Sequence, residues 1–309
     1  MQSARLVRTE LCCGLWSIIE RQANFMKFSK YHALGNDYIV IYTAHLQGEL
    51  TPAKVRLICD RHYGVGSDGI LLGPLESETS DFGLRIYNPD GSEAEKSGNG
   101  LRIFARSLVD EVLTGERAFT VETPGGAVAC EVSEDGRSVK VEMGKVHFDS
   151  TLIPVSGPPR EVLNETIVID GRKLTFCAAT IGNPHCVVLS QRPSPAETRR
   201  YGPQIENDPR FPERTNVQFM RVLDRANIQI EIWERGAGYT LASGSSSTAA
   251  AAVAQRLGLC DSQITVHMPG GQIAIQFDEN LMATMTGPVS KICDGSIAGD
   301  LLNGEFLAP

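Results

Sequence analysis

Short apolar runs interrupted by turn residues dominate this chain. Tyr38-Ile39-Val40-Ile41 and the alternating Ile228-Gln229-Ile230-Glu231-Ile232 read as strands, since a period of two places successive side chains on opposite faces of a sheet. The Pro124-Gly125-Gly126 and Pro269-Gly270-Gly271 segments read as hairpin turns between strands. Two segments follow a different rule. After Ser97-Gly98-Asn99-Gly100 the chain continues as Leu101-Arg102-Ile103-Phe104-Ala105-Arg106-Ser107-Leu108-Val109, and after Ser243-Gly244-Ser245 it runs through Thr248-Ala249-Ala250-Ala251-Ala252-Val253-Ala254. Each predicts one dominant helix. The second is apolar on every side, which a helix tolerates only when it is surrounded, as by a curved sheet.

The landmarks repeat. Gly35-Asn36 recurs at Gly182-Asn183, Ser97-Gly98 at Ser243-Gly244, and Pro124-Gly125-Gly126 at Pro269-Gly270-Gly271, at offsets of 147, 146 and 145 residues. The third pair is embedded in TVETPGGAVACEV in one copy and TVHMPGGQIAIQF in the other. Three collinear matches at near-constant spacing indicate two structurally equivalent halves of domain size. The expected division is an N-terminal extension over 1–25, a first lobe over 26–146 joined by the C-terminal tail 290–309, and a second lobe over 147–289. The fold class is α+β: two pseudo-repeated β-rich lobes, each wrapped around a central helix, with a cleft between them.

Composition narrows the possible functions. In 309 residues, 42% are apolar and acidic residues outnumber basic ones by 37 to 29. A real core is affordable, and with no basic stripe nucleic acid is not an expected partner. The eight cysteines show neither CxxC nor His/Cys ligand spacing, so a metal site is not expected and they read as reduced, mostly buried thiols. The apolar stretch Leu11 to Ile19 is too short to span a bilayer and no cleavage signature follows it, which favours a cytoplasmic protein without membrane attachment. The first 25 residues read as a loosely attached extension, or as the product of an upstream start codon with Met26 as the true first residue.

The chemistry lies at the helix starts. A first helical turn presents unpaired N–H groups and the positive end of the macrodipole, and glycine lets a ligand approach the backbone closely. Serine is also a common helix cap, and for either helix alone a cap is the simpler reading. Recurrence at equivalent positions of both halves points instead to a shared anion site. Asn36, Asn88, Asn183 and Asn216 sit in turn-rich contexts, where asparagine is often structural. Glu234-Arg235 follows a strand just before the second helix, where an adjacent acid and base could grip an amine and a carboxylate, or form a surface ion pair. His185 is an acid–base candidate or a satisfied core histidine.

These residues resemble the diaminopimelate epimerase family. The resemblance rests on Tyr31-His32-Ala33-Leu34-Gly35-Asn36-Asp37, on Arg61-His62-Tyr63-Gly64-Val65-Gly66-Ser67-Asp68-Gly69, and on Asn88-Pro89-Asp90-Gly91-Ser92 and Gly98-Asn99-Gly100. Gly182-Asn183-Pro184-His185-Cys186 and Trp233-Glu234-Arg235-Gly236-Ala237-Gly238 complete it, and together they span nearly everything after Met26. In that cofactor-free family two lobes close on an amino acid, and two cysteines on opposite faces of its α-carbon exchange the proton. The resemblance implies that Asn36, Asn88, Asn183, Asn216, Glu234 and Arg235 hold the distal end of diaminopimelate, and that backbone groups at Gly98, Asn99, Gly244 and Ser245 hold the reacting carboxylate. It also implies a small amino-acid substrate, no cofactor and a homodimer.

The chain departs from the family at the chemistry itself. Both positions of the catalytic cysteines are serines, Ser97 and Ser243; Ser245-Ser246-Ser247-Thr248 replaces a Gly-rich stretch, and Tyr239 stands where the family carries glutamate. Ionising a thiol at pH 7 costs about 2 kcal/mol, an alcohol about 11 kcal/mol. A helix N-terminus supplies up to about 2 kcal/mol, enough to poise a thiol and far too little for an alcohol. Serine therefore needs a partner base, and His185 and Glu234 are the candidates. The leading expectation is an α-carbon epimerase for LL-/meso-2,6-diaminopimelate or a relative. The alternatives are a related isomerase or dehydratase with one-sided chemistry, and a binding protein that has lost turnover.

Overall fold

A computed structural model describes residues 25–46 and 48–302. Apart from Phe25, the expected N-terminal extension lies outside the described residues, as do positions 303–309 of the tail. The first lobe contains β1 (Met26–Ala33), β2 (Asn36–Tyr42), α1 (Pro52–Cys59), β3 (Ile70–Leu75), β4 (Phe82–Tyr87), β5 (Glu93–Ala94), α2 (Gly98–Asp110), β6 (Ala118–Thr123), β7 (Gly126–Val132) and β8 (Ser138–Lys145). The second contains β9 (Glu165–Ile169), β10 (Arg172–Thr180), β11 (Pro184–Leu189), α3 (Pro195–Glu206), β12 (Asn216–Asp224), β13 (Asn227–Glu234), β14 (Gly238–Thr240), α4 (Gly244–Arg256), β15 (Gln263–Met268), β16 (Gly271–Phe277) and β17 (Met282–Pro288). The chain then returns as β18 (Ser290–Ile297) and a short α5 (Gly299–Leu302).

Strand pairing repeats between the halves. β1 and β2 form a hairpin, β2 runs parallel to β3, β3 is antiparallel to β4, and β4 runs parallel to β6, which leads through β7 to β8. In the same order, β10 and β11 form a hairpin, β11 runs parallel to β12, β12 is antiparallel to β13, and β13 runs parallel to β15, which leads through β16 to β17. β18 flanks β1 as β9 flanks β10. The lobes join edge to edge where β8 pairs antiparallel with β17.

Each sheet curls around one helix. In α4 every residue from Ser246 to Ala254 is buried, against β10, β11, β12, β13 and β16. Alanine is the side chain that lets strands close on a helix from all sides while costing no rotamer entropy. Leu101, Ile103, Phe104, Ala105 and Leu108 of α2 are likewise buried, beneath β1, β2, β7 and β8. Among the described residues no helix is long and apolar enough to cross a membrane.

One turn crosses between the lobes. Leu34 and Gly35 both have positive φ, 55° and 91°, the geometry of a tight two-residue hairpin. The tip lies on the Pro269-Gly270-Gly271 turn of the second lobe, where a Cβ on Gly270 would lie 2.5 Å from the Leu34 carbonyl oxygen and one on Gly271 2.6 Å from Leu34 Cδ2. At the equivalent tip of the second lobe, the space a Cβ on Gly182 would fill is open.

Candidate active site

The two helix starts face each other. A Cβ on Gly244 would lie 3.8 Å from Gly98 Cα and 2.9 Å from Met285 Sδ, and one on Gly98 would lie 2.8 Å from Met285 Cε. Two bare backbones thus meet over the buried Met285, with the buried Met143 also against Gly98. Ser97 and Ser243 cap the helices, accepting from Gly100 N at 3.1 Å and from Ser246 N at 3.4 Å. Bringing two macrodipole-positive ends together is unfavourable unless an anion lies between them. Arg102, in the second turn of α2, adds to that potential. It is fully buried, donates from Nη2 to Asn99 Oδ1 at 2.7 Å and from Nη1 to Met285 Sδ at 3.3 Å, and its Nε finds no acceptor among the described residues. Desolvation pulls its pKa down to about 10, which leaves it charged at neutral pH.

Each serine has a different titratable neighbour. Ser97 Oγ lies 3.2 Å from the phenol oxygen of Tyr38, which burial pushes up to about 12. Ser243 is hydrogen-bonded by Glu234, whose pKa burial raises despite that bond. A carboxylate held above its ordinary range is a stronger base. His185 is completely buried, with Nε2 2.9 Å from Asn183 Oδ1 and Nδ1 3.2 Å from Gln218 Nε2. Its ring nitrogens bond Asn183 and Gln218 and not Ser97 or Ser243, and desolvation drives the ring down to about 3, which favours the core reading over the acid–base one. Gln218 continues the chain with a 2.9 Å bond to Ser246 Oγ, directly under the second helix start.

The asparagines divide by what they touch. Asn36 joins the first helix start, accepting from Asn99 Nδ2 at 2.9 Å and donating to Asp68 Oδ2 at 3.0 Å. Asp68 continues to Arg61, which also grips Asp37 at 2.7 Å; Lys30 lies 2.9 Å from the same carboxylate, and these partners hold Asp37 down at about 2 despite burial. Asn88 closes its own turn onto Ser92 Oγ at 3.0 Å. Asn216 is buried and bridges backbone to backbone, donating to Pro184 O at 2.9 Å and accepting from Arg235 N at 3.0 Å. Arg235 donates through Nη1 to Glu213 O at 2.9 Å. The turn after Glu234 is held by Glu206, a buried carboxylate that accepts from Trp233 Nε1, Gly236 N and Arg214 Nη1 at 2.7, 3.0 and 3.0 Å. Gly244 and the half-buried Ser245 open the first turn of α4.

Tyr38, Arg102, Gln218 and Glu206 are the site groups that sequence reasoning missed. Arg102 carries a signal, a cation among the apolar residues of α2. Tyr38 sits inside an apolar strand, and nothing local distinguishes it from a core aromatic.

Comparison with known proteins identifies the family. The family model described as diaminopimelate epimerase matches residues 28–148 and 177–292. The chain is 59% identical over 276 residues to diaminopimelate epimerase 2 of Nostoc sp., covering 89% of this chain and 97% of that protein. It is 39% identical over 274 residues to diaminopimelate epimerase of Stutzerimonas stutzeri, covering 88% and 99%. Among solved structures, a hydroxyproline epimerase from Agrobacterium vitis with bound trans-4-hydroxy-L-proline has a TM-score of 0.67 at 16% identity, covering 93% of this chain and 97% of that one, a likeness of fold alone. By sequence across most of its length, this chain belongs to the diaminopimelate epimerase family.

Proposed function

We propose that the protein is a cofactor-independent epimerase that inverts the α-carbon of LL- and meso-2,6-diaminopimelate. The observation that carries this reading is the meeting of two serine-capped, glycine-started helix N-termini over Met285. An α-carboxylate between them accepts backbone N–H groups at Gly98, Asn99, Gly244 and Ser245, and the potential of Arg102 adds to theirs. That carboxylate takes up the charge that develops when the α-proton leaves. The opposed hydroxyls of Ser97 and Ser243 stand on the two faces of the carbon. Asn36, Asn183, Glu234 and Arg235 remain the candidates for the distal amine and carboxylate; Asn216 and Asn88 serve by shaping the turns that carry them.

A free serine alkoxide is too costly at neutral pH, so Ser243 gives its proton to Glu234 as it takes the substrate's. Burial of Glu234 strengthens it for this step. Because a ready base stands behind only one serine, one-sided isomerase or dehydratase chemistry is the second reading. Incubation with LL- and meso-diaminopimelate in heavy water, followed by mass spectrometry and chiral analysis, separates the two. The expected outcome is deuterium at the α-carbon with interconversion of the epimers. An unsaturated or keto product favours the second reading, and binding with no label overturns both.

A further inference from the structure

We infer that Tyr38 is a positioning residue that carries the proton of Ser97, so that a phenol backs one face of the site and a carboxylate the other. This rests on the epimerase reading above. The Tyr38 oxygen is 3.2 Å from Ser97 Oγ, and the serine already accepts the Gly100 N–H at 3.1 Å. The ring is buried and cannot swing away: a Cβ on Gly69 would lie 2.6 Å from Tyr38 Cε1, so the glycine backbone lies against it. The titratable groups around the phenol are Glu234, Asp68 and Cys59; their charges and its burial keep it protonated at rest, as a proton donor must be. Glu234 thus sits near the phenol while serving Ser243.

The protons balance over one turnover. Ser243 takes the α-hydrogen as a proton and passes its own to Glu234, while the C–H electron pair stays on the α-carbon. On the opposite face that carbon takes the proton of Ser97, and Ser97 takes the proton of Tyr38, which is left as phenolate. Glu234 has gained one proton and Tyr38 has lost one. The reverse turnover, or exchange with water, restores both. A phenol loses its proton far more readily than an aliphatic alcohol, so the relay spares Ser97 from becoming a free alkoxide.

Tyr38→Phe keeps the ring against Gly69 and removes the oxygen. In heavy water the variant is expected to exchange only the epimer whose α-hydrogen faces Ser243. Exchange of the other epimer, and inversion with it, should fall about 100-fold, the scale of a lost proton-transfer group. Adding Ser97→Cys to Tyr38→Phe is expected to restore inversion, because a thiol ionises without a partner. Equal slowing of both epimers, or no rescue by the cysteine, would show a structural role and overturn the relay. Wild-type exchange that ignores Tyr38→Phe overturns the relay alone, whereas a wild type that exchanges neither epimer overturns the epimerase reading and the relay with it.

Discussion

Arg102 places a cation where no acid among the described residues answers it. Its guanidinium lies against Gly287, where a Cβ would come within 2.7 Å of Nη1, and its polar contacts are an amide oxygen and a thioether. A buried charge without a counter-charge costs stability, and replacing it by an apolar side chain of similar size is often neutral or favourable. Its position in the second turn of α2 suits the proposed function, in which a substrate carboxylate supplies the counter-charge. Arg102→Met is therefore expected to leave stability unchanged or raise it by about 1 to 3 kcal/mol in denaturant unfolding. The same variant should bind diaminopimelate at least about tenfold more weakly by calorimetry. Lost stability with unchanged affinity would make the arginine purely structural. The residues of the site were unevenly legible in the sequence. Ser97, Ser243 and Glu234 stood out because glycine-rich helix starts and an acid–base pair before a turn have a local signature. His185 was open to an acid–base or a core reading from the sequence, and its complete burial favours the second. Glu206 and Gln218 gave no signal, because their partners, Trp233 and Gly236 for one and Ser246 and His185 for the other, lie 27 to 33 residues away.

At the scale of the elements, the two helix starts are each capped by a serine hydroxyl. The caps at Ser97 and Ser243 contribute through accepted backbone bonds, and a weaker acceptor there sacrifices about 1 kcal/mol per helix. Against this, thiols at both positions remove the need for Glu234 and Tyr38 to bear the serine protons. The double substitution Ser97→Cys with Ser243→Cys is expected to raise the epimerisation rate at least about tenfold while lowering stability by about 2 kcal/mol. A single substitution leaves one face on oxygen and should gain less. Rate and unfolding midpoint measured on the same preparations check both halves, and no gain in rate would mean that the helix starts do not hold the α-carbon between positions 97 and 243. Helices α2 and α4 and both Pro-Gly-Gly hairpins were readable from periodicity and turn chemistry. The pairing of β8 with β17 was not, since a ladder between the last strands of two halves leaves no local pattern in either.

In the whole molecule the β8–β17 ladder and the hairpin tip at Leu34-Gly35 both tie the lobes together, in addition to the meeting of the two helix starts. The ladder is continuous sheet. The tip is a contact between turns; at the matching turn of the second lobe the space beside Gly182 is open, while Ile181 packs against the core. Leu34 holds a left-handed conformation that costs about 1 kcal/mol or more for a side chain with a Cβ, and docking on the second lobe offsets it. Asn36 follows two residues later and reaches both Asn99 and Asp68, so the position of the tip sets the position of the first helix's amide partner. Gly270 is the point at which to test this. A Cβ there would lie 2.5 Å from Leu34 O and 3.0 Å from Leu241 O. Both are backbone atoms that cannot turn aside. Gly270→Ala is expected to lift the tip, speeding amide hydrogen exchange from Leu34 to Asp37 and raising the KM for diaminopimelate about tenfold. The strand and helix content of each lobe should stay intact by circular dichroism. If exchange at the tip is unchanged while KM rises, the effect comes from the Leu241 side of the turn, and the crossing hairpin does not govern closure.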